Sequence, residues 1–191
     1  MAVSSATEAP ARHALILHGW NDDPWSGWLG WLGAELRQSG WETHVPVFVT
    51  PEGRPDRVAW TEELAKLQPY LQPSTIVIAH SLGCWLAMLL LGQATITTSI
   101  AATYLVAGFY DAPRPQARRF FSPEPDWQQL AAACPEWHCF SSQDDWLVVP
   151  ERTARLAERL SAQLHTYPNY GHFLGSKGMA TFPELLALIQ H

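Results

Sequence analysis

Cysteine is scarce in this chain and badly placed for structural use. Cys84, Cys134 and Cys139 make an odd number, and none stands in a CxxC pair. A disulfide framework and a zinc ribbon are therefore both disfavoured. Charge is also sparse, at 16% of residues, and the formal balance is −6. Nucleic-acid binding wants a basic stripe, which that balance does not supply. No apolar run approaches the length of a membrane span. Neither GxGxxG nor GxxxxGK[ST] occurs, so nucleotide-dependent chemistry has no support. Internal repeats and low-complexity tracts are absent as well. Met1 to Arg12 is small and polar, with no basic segment leading into an apolar one, and reads as a flexible tail rather than a signal peptide. With reduced thiols, this points to a cytoplasmic location.

What is present is an apolar share of 47% in 191 residues, enough for one well-packed domain over residues 13–191. Short apolar runs alternate with helical patterns. Strands are expected at 14–18, 44–49, 75–79, 100–107, 137–141 and 164–167. Helices are expected near 25–38, 57–71, 83–92, 126–133, 151–162 and 180–190. Strands buried on both faces and joined through helices form parallel sheets. The fold class is thus α/β: a three-layer αβα sandwich with about six mainly parallel strands and no separate lid domain.

Chemistry concentrates first at Ala79-His80-Ser81-Leu82-Gly83, between the apolar run Thr75-Ile76-Val77-Ile78 and the helical stretch from Trp85 to Leu91. This is the setting of a nucleophile elbow, a serine on a sharp strand-to-helix turn. Small residues are needed two positions before and after the serine, because the backbones nearly touch there. Gly83 meets that need, and Ala79 stands where glycine is usual. A serine hydroxyl needs a base to become a nucleophile. His172, in Asn169-Tyr170-Gly171-His172-Phe173, follows the last strand-like run and fits the order Ser, Asp or Glu, His of the α/β-hydrolases.

The acid belongs on the loop after Trp137-His138-Cys139-Phe140-Ser141, where Asp144 and Asp145 compete. Motif register favours Asp145, with Asp144 as the alternative and Asp111 as an outside candidate. The unused aspartate would cap backbone N–H groups. An oxyanion hole is expected from the backbone N–H groups of Leu82, next to the serine, and of Trp20, in the loop His18-Gly19-Trp20-Asn21. His18 and His80 are read as structural. Of ten tryptophans, Trp28, Trp31, Trp60 and Trp85 suit the core. Trp20, Trp25 and Trp146 fall on loops at the catalytic end, where they either line an apolar acyl pocket or pack the loops together. Phe109 to Pro125 is the one long irregular connection and a candidate substrate mouth. Its Arg114, Arg118 and Arg119 read as a solvated face.

Together these pieces resemble the retinoblastoma-binding protein 9/YdeN-type family of small serine hydrolases, a compact branch of the α/β-hydrolases. The resemblance rests on Leu17-His18-Gly19-Trp20 with Trp28-Leu29-Gly30-Trp31-Leu32, on Ala79 to Cys84, and on Leu105-Val106-Ala107-Gly108-Phe109. Ser142-Gln143-Asp144-Asp145 and Gly171-His172-Phe173-Leu174 complete it. It implies a minimal α/β-hydrolase fold with Ser81 as nucleophile, Asp145 as acid and His172 as base. One departure, an apparent extra residue at Val149, keeps Asp144 open as the acid. The expected activity is hydrolysis of a small-molecule acyl ester with no cofactor and no metal. Thioesterase, acyltransferase or amidase chemistry would use the same residues. The rival is a non-catalytic protein-binding module with an unspecified protein partner. The Leu-x-Cys-x-Glu pattern is missing, however, because Leu82-Gly83-Cys84-Trp85-Leu86 ends in leucine.

Overall fold

A computed structural model describes residues 10–93, 98–112 and 117–191. Arg114 and most of the expected tail lie outside the described residues. Six strands form one sheet: β1 (Arg12–Leu17), β2 (Trp41–His44), β3 (Ile76–His80), β4 (Ala102–Val106), β5 (Trp137–Ser142) and β6 (Gln163–Tyr167). Their order is β2-β1-β3-β4-β5-β6, and every neighbouring pair is parallel. The helices between and after them are α1 (Gly27–Gln38), α2 (Arg57–Ala65), α3 (Leu82–Leu91), α4 (Trp127–Ala133), α5 (Pro150–Leu160) and α6 (Pro183–Gln190).

Alternation along the strands sorts the core into two layers. Leu15, Leu17, Val77, Ala79 and Leu105 face α2, α3, α4 and α5. Ala14, Ile16, Ile76, Ile78 and Tyr104 face α1 and α6. Each fully buried Leu, Ile or Val contributes roughly 1.5–3 kcal/mol, which explains the largely apolar runs of β1, β3 and β4, whereas β5 is buried throughout yet carries His138, Ser141 and Ser142. The edge strands β2 and β6 are only partly buried and carry polar residues. α3 is buried at nine of its ten positions, so it reads as a uniformly apolar helix with no solvent stripe. Among the described residues, no helix is long and apolar enough to cross a membrane.

Two expected elements moved. β2 ends at His44 instead of running over 44–49. Pro46 has no N–H to offer a ladder, and the Phe48 N–H is given to His18 Nε2 at 2.9 Å. α2 stops at Ala65, and a short 3-10 turn at Gln68–Tyr70 replaces the rest of the expected 57–71 helix. Pro69 lies within that turn, where an α-helix would lose a hydrogen bond and clash.

The sheet order also locates the functional end. The chain leaves β1 to one side for β2, then returns to the other side for β3. Between β1 and β3 the winding direction reverses, and open parallel sheets bind ligands beyond the strand C-termini at such a point. The loops after β1 and β3 carry Gly19-Trp20 and Ser81.

Candidate active site

Ser81 follows β3 directly and precedes the first turn of α3, with φ 52° and ψ −119°. A non-glycine residue in that region is strained and persists only where the surroundings hold it. The surroundings are tight. A Cβ added to Gly83 would lie 2.4 Å from Leu17 O and 2.7 Å from His18 O, so only glycine lets α3 meet the end of β1. A Cβ on Gly19 would lie 3.1 Å from Ser81 Cβ, which brings the first loop against the serine. Ser81 N–H donates to Val106 O at 2.8 Å, tying the turn to β4.

His172 Nε2 stands 2.9 Å from Ser81 Oγ, and its Nδ1 stands 2.8 Å from Asp145 Oδ2. The carboxylate can only accept, so Nδ1 carries the proton and Nε2 is free to accept from the hydroxyl. Asp145 Oδ1 accepts the N–H groups of Leu147 and Val148, each at 2.9 Å. Its carboxylate is therefore fixed on both oxygens, and Asp145 and His172 are both buried.

Asp144 has a different place. It accepts from Ser142 Oγ at 2.6 Å and from Gly171 N–H at 2.8 Å, while Ser142 Oγ accepts the Tyr170 N–H. These hydrogen bonds fasten the loop that bears His172, and the Ser142 bond leads in holding the Asp144 carboxyl below its ordinary pKa. Val149 sits at the N-cap of α5. It lies beyond the Asx turn of Asp145. Asp111 is engaged elsewhere: its Oδ1 pairs with Arg152 Nη2 at 2.6 Å.

The loop bearing His172 is also held from behind. Trp28 Nε1 donates to Phe173 O at 2.7 Å, and His80 Nε2 donates to His172 O at 2.9 Å. His80 Nδ1 meets Asp22 Oδ2 at 2.9 Å. Both nitrogens of His80 thus face oxygen acceptors. Burial raises the Asp22 pKa, but the hydrogen bond and charge of His80 outweigh it and the net shift is downward. His18 donates from Nδ1 to Gly19 O and accepts at Nε2, a neutral structural ring; burial lowers its pKa. Sequence reading assigned Trp28 only to the core and overlooked Asp22. An acidic residue four positions beyond His18, in the first loop, was the signal available for it.

Leu82 is the first residue of α3, so its N–H is one that a helix cannot satisfy internally. The turn after β1 is closed by Asp22 N–H to Gly19 O, which leaves the Trp20 N–H outside that bond. The indoles of Trp20, Trp25 and Trp146 are more than half exposed. Trp146 also packs on Gly171: a Cβ there would lie 2.6 Å from its Cζ3, and Gly171 has φ +51°. Trp20 Nε1 donates to Gly53 O at 3.0 Å. In the long connection after β4, Phe121 is buried and Phe120 O accepts from Trp85 Nε1. Arg118 and Arg119 are exposed. All three cysteines are free and buried, and burial pushes the Cys84 thiol well up, so none is a ready nucleophile.

The family model for serine hydrolases matches residues 14–191. The chain belongs to the serine hydrolase family. As a serine hydrolase it is similar to YdeN of Bacillus subtilis (strain 168), at 26% identity over 174 residues, covering 90% of this chain and 91% of YdeN. It is also 25% identical to serine hydrolase RBBP9 of Rattus norvegicus over 191 residues, covering 95% of each chain. The crystal structure of the ydeN gene product from B. subtilis superposes with a TM-score of 0.86 at 24% identity, covering 94% of this serine hydrolase and 97% of that chain. The fold is that of the α/β-hydrolases.

Proposed function

We propose that the protein hydrolyses a small acyl ester through a Ser81–His172–Asp145 triad. The observation that carries this reading is the unbroken line of hydrogen bonds from Ser81 Oγ through both imidazole nitrogens to Asp145. His172 takes the Ser81 proton as Oγ attacks the acyl carbon, forming a C–O bond and an oxyanion. The imidazolium then gives that proton to the departing alkoxide. Water, deprotonated by the same ring, attacks the acyl-enzyme; the proton returns to Ser81 and the acid leaves. Asp145 keeps the productive tautomer and stabilises the imidazolium. The N–H groups of Leu82 and Trp20 hold the oxyanion, and such a donor is worth roughly 10²–10³ in rate. Thioesters and amides would pass through the same steps. The exposed indoles of Trp20, Trp25 and Trp146 supply an apolar rim for the acyl or alkyl group, at the price of leaving it open to water.

The test is intact-mass analysis after a fluorophosphonate probe. Wild type is expected to gain one adduct, Ser81→Ala none, and His172→Ala only a strongly slowed one. No adduct on folded wild type would overturn the reading in favour of a binding module. Probes of increasing alkyl length add a second readout: Trp146→Ala should lose the preference for longer chains, and an unchanged preference removes the rim.

The pH dependence follows from His172. Burial is the largest influence and lowers its pKa below the ordinary 6.5; the His80 charge adds to this, and Asp145 opposes it without reversing it. The base must be neutral in free enzyme, so the acid limb of kcat/KM is expected to have its midpoint below 6.5. Above 6.5 this group leaves both rate and stability unaffected. Below it the unfolded chain binds the proton first, so stability falls as well. A midpoint at or above 6.5 would contradict the assignment of His172 as a buried base.

A further inference from the structure

At the opposite end of β1 from Ser81, three metal-ligating side chains converge on one face of the sheet edge. His13 lies on β1, while Glu42 and His44 lie two residues apart on β2. In the parallel register His13 is opposite Glu42, and Leu15 is opposite His44. The period of two along both strands therefore turns all three side chains to the same side. His13 Nδ1 is 3.1 Å from His44 Nε2 and 3.5 Å from Glu42 Oε2, and all three ligand atoms fall within 4.8 Å of one another.

Those separations are close to a chelating geometry. Zinc takes imidazole nitrogen and carboxylate oxygen at roughly 2.0–2.2 Å in a tetrahedron, which places neighbouring ligand atoms roughly 3.3 Å apart. The His13–His44 and His13–Glu42 separations bracket that value, and the Glu42–His44 pair closes to it from within 4.8 Å. Two of them are already anchored: His13 is buried, and the His44 ring stacks on Tyr70 with centroids 3.6 Å apart and planes 22° apart. Glu42 is exposed and supplies the negative charge from the solvent side. The hydrogen bond between the two rings puts one proton on the shared nitrogen pair. Metal entry needs both lone pairs, so that proton moves to the other nitrogen of its ring, with no net change in a neutral pair.

We infer that His13, Glu42 and His44 form a divalent transition-metal site, with zinc as the best-fitting ion and water completing the coordination. Two imidazoles and one carboxylate suit zinc, and disfavour magnesium and calcium, which want mostly oxygen. The site is separate from the proposed hydrolytic chemistry and has no part in it. Its effect is structural, pinning edge strand β2 to β1.

The experiment is calorimetric titration of zinc chloride into the metal-free 191-residue chain, with thermal unfolding recorded at each zinc level. Wild type is expected to bind one zinc through this cluster and to melt at a higher temperature as zinc rises, because an ion that binds only the folded state stabilises it. Glu42→Gln, on an exposed side chain, should weaken binding about tenfold or more on the scale of altered coordination shells. His44→Ala should lose the site. His172→Ala should bind zinc as wild type does, which separates this cluster from the histidines around Ser81. No zinc uptake by wild type, or uptake unchanged by both Glu42→Gln and His44→Ala, would overturn the assignment. So would loss of binding in His172→Ala alone.

Discussion

Asp145→Asn is expected to lower kcat/KM by roughly 10³- to 10⁴-fold while leaving the protein folded, the scale set when an amide replaces a triad carboxylate. The amide is nearly the same size and still offers an oxygen to the Leu147 and Val148 N–H groups that Asp145 now holds. What it loses is the charge that steadies the imidazolium, and it tolerates the wrong tautomer of His172. Asp144→Asn provides the contrast. Asp144 touches Ser142 and Gly171 but not the ring, so its loss of charge loosens a loop and should cost roughly tenfold or less. Steady-state kinetics of the two variants on one activated ester, with melting curves as a folding control, measures the difference. Equal losses in both would mean that the acid is not assigned by its hydrogen bond to His172.

Gly83→Ala is expected to be a severely damaging conservative change at the serine turn. The new methyl would meet Leu17 O, His18 O and Leu17 C at 2.4, 2.7 and 2.9 Å. All are backbone atoms, so no side chain can rotate away; α3 itself must lift from β1. Overpacking of a buried site costs about 1–3 kcal/mol and sometimes more, and a backbone clash belongs at or above the top of that range. For a chain of this length, a loss of about 3 kcal/mol lowers Tm by roughly 6–12 °C. Reactivity should fall further than stability, because the same lift carries Leu82 and Ser81 away from the loop at Gly19. Gly33→Ala is the control. Its Cβ would meet Arg37 Nη1 and Ile16 Cδ1 at an ordinary 3.4 Å, and replacing a helical glycine by alanine stabilises by roughly 0.5–1 kcal/mol. Calorimetry on both variants checks the pair, and a Gly83→Ala melt within a degree or two of wild type would refute the close approach.

The same two sites show why parts of this fold could be read in advance. The elbow was legible because its requirement is local: apolar strand, serine, small residue, apolar helix all lie within one stretch of chain. The strands β1, β3 and β4 were legible because burial on both faces leaves a largely apolar run in each. β2 lacks that signature. Its partly polar edge residues left only the apolar Val45, Val47, Phe48 and Val49 to suggest a strand, and these lie beyond the paired segment ending at His44. The choice between Asp144 and Asp145 rested on register alone, since adjacent residues on a loop differ in direction rather than in chemistry. The pairing of Asp22 with His80, 58 residues apart, leaves no periodic trace at all. Nor does the convergence of His13 with His44, which depends on strand register.

The line through Ser81 also carries a consequence for how the protein is made. Ser81 meets His172 across 91 residues of sequence, and the loop bearing His172 is clasped by Trp28 from 145 residues away. During synthesis the first two-thirds of the chain emerge with the elbow but without the imidazole, so the nascent hydroxyl is chemically idle. Long-range closures of this kind come late, because chain entropy opposes them until the rest is in place. On the proposed triad, Ser81 would gain its reactivity only when β6 and the loop bearing His172 have docked, so labelling of the serine would report that these distant segments have come together.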